Sequence, residues 1–167
     1  MAWYNADGLK VRFHGEEDTA FTGLAKDVEH VLVVDYNAVT GDGLKFTTDR
    51  NNNGTNDGWS GEDAFIPAGA YITDAYILVT EAFTDSGSDA TLTIGLAQED
   101  GTVIDADGID ATIAFTALNA TTDVVACDGD YVGRALKLAA NAYLYATVAS
   151  GPFTAGKAKI VVKYLKV

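Results

Sequence analysis

The sequence predicts an all-β protein: an antiparallel two-sheet sandwich with at most one short helix. Three observations carry this. About eight segments are strand-like, by period-two alternation or by a short continuous apolar run. The stretches between them are rich in Gly, Asp and Asn, and the chain has 17 glycines in 167 residues, as tight turns between strands require. No helical periods alternate with the strands, which disfavours βαβ wiring and favours a jelly roll over an immunoglobulin-type arrangement.

The elements follow in chain order. Leu9, Val11 and Phe13 alternate with Lys10, Arg12 and His14, so one set faces a core and the other faces water. Val31 to Val34 is apolar at every position, as are most of Ala75 to Thr80 and Tyr143 to Ala149, which predicts strands covered on both faces. In Ile66-Pro67-Ala68-Gly69 a strand end is followed by a proline of fixed φ and a glycine able to turn, so this segment opens the next strand. Ala90, Leu92, Ile94 and Leu96 alternate with Thr91, Thr93, Gly95 and Ala97; Ala158, Ile160, Val162 and Tyr164 alternate with lysines 157, 159 and 163. These two are the clearest strands. Ala111 to Leu118 fits neither period and is the one place for a short helix. There is no internal repeat, and Thr47 to Asp63 reads as a long surface loop. The organisation expected is an N-terminal arm, residues 1–7, and a single sandwich domain, residues 8–167.

Composition bounds the function. Eleven basic and 24 acidic side chains give a net charge of −13, a field that repels phosphate backbones and anionic headgroups, so neither nucleic acid nor a membrane is expected as a partner. No run of about 18 apolar residues and no signal-like start is present, and synthesis in a cytoplasm is expected. Cys127 is the single cysteine, which rules out an internal disulfide and thiolate metal clusters within one chain. It sits beside Asp128 and Asp130, whose charges oppose a thiolate, so it reads as a plain small residue. His14 and His30 have no neighbours that would make either a catalytic base, there is no Gly-x-Ser-x-Gly elbow, and no pair stands out among the carboxylates. No enzymatic activity is expected.

Two features invite a binding role. Asp49, Asn51, Asn53, Thr55 and Asp57 place oxygen donors at alternating positions around Gly54, like the front half of a calcium loop. The back half departs, because Ser60 stands where a bidentate Glu is required; an Asn-rich turn closed by side-chain to backbone hydrogen bonds is the competing reading. The second feature is aromatic. Trp3 and Tyr4 precede the first strand and either anchor to another subunit or pack over an open end of the sandwich. Trp59, between Gly58 and Ser60, either stacks on a sugar ring or inserts into a neighbouring protein.

Several segments together carry a likeness: Gly8-Leu9-Lys10-Val11-Arg12-Phe13 with Glu16-Glu17, Ile66-Pro67-Ala68-Gly69-Ala70, Glu81-Ala82-Phe83, Ala90-Thr91-Leu92-Thr93-Ile94-Gly95-Leu96 and Phe153-Thr154-Ala155-Gly156-Lys157. They resemble the capsid cement, or decoration, proteins of podovirus-type tailed phages, with Asn51 to Asn53 as an addition to the pattern. That resemblance implies a jelly roll on the exterior of the virion, clamping neighbouring copies of the phage major capsid protein, and a homodimer or homotrimer. A carbohydrate-binding or receptor-binding module of a virion fibre, with Trp59 in the sugar platform, is the rival expectation.

Overall fold

A computed structural model describes residues 29–39, 65–87 and 89–166 in full, and four short strands outside them by backbone alone. In chain order the strands are β1 (Ala2–Tyr4), β2 (Lys10–Arg12), β3 (Glu29–Asn37), β4 (Phe46–Thr48), β5 (Gly58–Trp59), β6 (Phe65–Ile66), β7 (Ala70–Asp85), β8 (Thr91–Ala97), β9 (Val103–Ala114), β10 (Val124–Ala126), β11 (Ala142–Ala149) and β12 (Phe153–Lys166). Two four-stranded antiparallel sheets form the body, ordered β10-β7-β12-β3 and β6-β11-β8-β9. From β3 onward, every link within these sheets except β8 to β9 crosses from one layer to the other, and the last strand, β12, inserts between β3 and β7. This is the double Greek-key wiring of a jelly roll.

The core lies where the two layers face each other. Ala75, Ile77 and Val79 of β7, Leu92, Ile94 and Leu96 of β8, and Ala158, Ile160 and Val162 of β12 are all buried in it. The alternation read at Ala90 to Ala97 and at Lys157 to Tyr164 is thus the alternation of the core face. Gly69, at φ +87°, occupies the left-handed region and turns the chain into β7, with Ala70 N–H donating to Pro67 O at 3.1 Å. Gly156 is needed for a different reason: at φ +136° it lies where a Cβ would meet the Phe83 ring at 2.5 Å.

Two expectations are revised. Val31 to Val34 is covered on one face only: Val34 points inward and is buried, whereas Val31 and Val33 are 58% and 49% exposed. Tyr143 to Ala149 is buried at its start, at Tyr143 and Leu144, and emerges at Val148 and Ala149. Among the described residues no third layer covers the outward faces, and β6 pairs with β11 only at Ala142 and Tyr143. The helix allowed at Ala111 to Leu118 is a single 3-10 turn, Phe115–Ala117, because β9 continues to Ala114 and Leu118 is fully buried.

At the N-terminus, Ala2–Tyr4 is itself a strand, antiparallel to Lys10–Arg12, with Trp3 opposite Val11 and Tyr4 opposite Lys10. The predicted strand at Leu9 to Phe13 is thereby met at its centre; Leu9, Phe13 and His14 lie outside the described residues.

Candidate interaction surface

Burial and packing set the environment of the titratable groups in the sandwich. Cys127 is buried, and burial followed by the charges of Asp110 and Asp128 pushes its thiol up to about 12. Asp110, the one buried charged residue described, accepts from Thr112 N–H at 3.2 Å, and burial raises its carboxyl above the ordinary range. His30 stacks on Tyr164 at 5.2 Å between ring centroids. Asp105 is raised chiefly by burial and further by Asp107 and Asp130 nearby. Among the described residues no group of three or more His, Cys, Asp or Glu side chains is placed to hold a metal ion.

The calcium-loop positions Asp49, Asn51, Asn53, Thr55 and Asp57 lie outside the described residues. The strands on either side of them pair with each other, Phe46 opposite Trp59 and Thr48 opposite Gly58. Of Trp3, Tyr4 and Trp59 the structure gives the ladder position. On the outer face of the second sheet, Phe65 and Tyr143 come within 5.6 Å, but the rings are inclined by 39° and Tyr143 is buried, so they form no flat sugar platform.

What remains is surface, and the outer face of the β10-β7-β12-β3 sheet is organised. Register places Val33, Val161, Tyr76 and Ala126 in one row across the sheet, and Asp35, Lys159, Leu78 and Val124 in the next. Val161 is buried although it points outward, because Val33 and Tyr76 flank it on the neighbouring strands. Val31, Val33 and Val124 remain exposed, so an apolar strip crosses the sheet from edge to edge. Its three lysines are each matched within the face, Lys159 to Asp35 at 2.6 Å, Lys163 to Asp74 at 3.2 Å and Lys157 to Glu81 at 2.8 Å, while Glu29 accepts from the Thr73 hydroxyl at 2.9 Å. The hydrogen bond to Asp74, aided by its charge, raises the Lys163 ammonium above its ordinary value. In a chain of net charge −13 this face is therefore close to neutral.

A second feature opens at one end of the sandwich, where β3 leaves its sheet. Tyr36, Ala38 and Val39 face Ala146, Val148, Pro152 and Phe153 across a mostly apolar groove of about 340 Å³. The two rings that line it, Tyr36 and Phe153, both pack on the buried Phe83, Phe153 edge to face at 5.1 Å and Tyr36 stacked at 6.1 Å.

The outward strip was missed in the sequence because a continuous apolar run was equated with double burial. The signal lay in the parity. Glu29 and Asp35 share a face with Val31 and Val33, and two carboxylates on that face mark it as solvated.

No family model matches the chain, and no curated protein matches its sequence. Its fold is similar to that of a chain in the acidic stable capsid structure of Helicobacter pylori bacteriophage KHP30, with a TM-score of 0.51 and 14% identity over 83% of this chain and 87% of that one. It is equally similar to a chain in the capsid of Ralstonia phage GP4, with a TM-score of 0.51 and 17% identity over 83% of this chain and 85% of that one. At these identities the likeness is one of fold, and it spans nearly the whole of each chain.

Proposed function

We propose that the chain is a non-enzymatic component of a phage capsid: a cement protein on the exterior of the head that binds the major capsid protein lattice and resists the pressure of packaged DNA. The observation that carries this reading is the near-full-length likeness to chains in two phage capsid structures. The surface supports it. A clamp needs area rather than a catalytic group, and the ion-paired apolar strip on the outer sheet face supplies area that an acidic chain can present without strong repulsion. Many copies on a symmetric shell multiply modest contacts. Trp3, Tyr4 and Trp59 are proposed as further anchors, the Asp49 to Asp57 segment as a calcium loop at the periphery, and the working unit as a homo-oligomer.

The test is a pair of particle preparations, with and without the chain. Electron microscopy is expected to show ordered density for it outside the shell, and heads lacking it are expected to release DNA at lower temperature. Heads of equal heat resistance, or no density on them, would overturn the reading.

A further inference from the structure

We infer that the strap from Cys127 to Leu138 is an acid-tightened clasp, which grips the bulged margin of β9 while Asp105 and Asp110 carry protons and slackens when they lose them. The inference concerns the chain's own closure and does not depend on what the chain binds. The strap leaves β10 and laces the two sheets together. Cys127 N–H donates to Ala75 O of β7 at 2.9 Å; Gly129 and Tyr131 N–H cross to Ile109 O and Gly108 O of β9 at 2.8 and 3.0 Å; Gly133 and Leu138 N–H return to Ile72 O and Ala70 O of β7 at 3.0 and 2.9 Å. Its landing place on β9 is a bulge: Leu96 pairs with Asp105 and Ile94 with Asp110, so residues 106–109 stand opposite Gly95 alone. The fit is close, since a Cβ at Gly129 would lie 2.4 Å from the Ile109 backbone.

Carboxyls crowd this junction. β9 brings Asp105, Asp107 and Asp110, and the strap brings Asp128 and Asp130 with the Cys127 thiol. Tyr145 of β11 and Asp74 of β7 face the group from neighbouring strands. Among the described residues two cations answer in ion pairs, Arg134 to Asp130 at 3.0 Å and Lys163 to Asp74 at 3.2 Å. The Asp105 and Asp107 side chains hydrogen-bond each other, a contact between two carboxyls that requires a shared proton. Asp110, 6% exposed, joins bulge to strap, accepting from Thr112 N–H at 3.2 Å, from Asp128 N–H and from the Cys127 thiol. Burial, first among the causes, raises both Asp105 and Asp110 above the ordinary 3.8. The stability such a carboxyl adds to the closed strap is complete below its open-state value and is lost as pH rises through the closed-state one.

The experiment follows amide hydrogen exchange of the intact chain by NMR at pH 4 and pH 7, corrected for intrinsic exchange rates. Protection at Gly129 and Tyr131, relative to amides of β12, is expected to fall from pH 4 to pH 7, by about tenfold for each unit that closure adds to a carboxyl's pKa. Asp105→Asn, whose amide donates to Asp107 as the protonated acid does, is expected to raise protection at pH 7 and to shrink that fall. Equal protection at both pH values in the wild type, or a fall in Asp105→Asn as large as in the wild type, would overturn the inference. If Asp105→Asn does not fold, the wild-type profile decides by itself.

Discussion

Cys127 and Tyr36 set the alkaline limit of the fold. Burial raises Cys127 from 9.0 to about 12 and Tyr36 from 10.0 to about 12, so the folded state favours the neutral form of each. The stability they contribute is complete below the unfolded values and is lost as pH rises toward the folded ones. The melting temperature is expected to fall between pH 9.0 and about 12, less steeply in Cys127→Ala, and the native thiol to resist maleimide at pH 8 until denaturant is added. Asp85 works with the opposite sign. Its carboxylate accepts from the N–H groups of Ala90, Asp89 and Gly87 at 2.9, 3.0 and 3.2 Å, closing the turn from β7 to β8, and these bonds lower its pKa below 3.8. That stability is present above 3.8 and is lost as pH falls through the folded value. Asp85→Ala is accordingly expected to lower the melting temperature at pH 7, with the difference from wild type closing in strong acid.

At the scale of elements, β12 holds the molecule together. It is central in its sheet, pairing with β3 on one side and β7 on the other, and carries fully buried Ile160 and Val162 into the core. Ile160→Ala is expected to cost about 2–5 kcal/mol in chemical denaturation, the range for deleting a buried branched side chain. Where β12 bulges near Ala155, Gly156 lies against Phe83, so Gly156→Ala must strain φ and displace the ring at once. A loss above about 1 kcal/mol is expected, whereas the same change at a relaxed glycine stabilises. If Gly156→Ala melted with the wild type, the close approach to Phe83 would be refuted. The ring that this glycine accommodates, Phe83, supports Tyr36 and Phe153, which line the groove at the end of the sandwich.

At the scale of the whole molecule the distribution of charge matters more than its sum. The acidic excess sets a repulsive field between copies, while the outer face of the β10-β7-β12-β3 sheet pairs its three lysines with acids and exposes valines. Val124, 62% exposed and at the far margin from β3, separates adhesion from folding. Val124→Asp is expected to shift stability by no more than about 0.5 kcal/mol and yet to reduce occupancy on heads, read by densitometry of purified particles. The sequence alone determined the all-β class, the core faces of β8 and β12 and the turn at Pro67 to Gly69, because these depend on side-chain period and local φ preference, which neighbours along the chain control. It also marked Cys127 as inert, since its acidic neighbours are adjacent in sequence. The third dimension decided which apolar runs are covered. Val31 and Val161 look alike in sequence and point to the same outer face, but Val161 has Val33 and Tyr76 beside it and Val31 lies on a margin. Burial is a property of what the rest of the chain brings alongside a residue, and strand order, which fixes that, follows from pairings between segments far apart in the sequence.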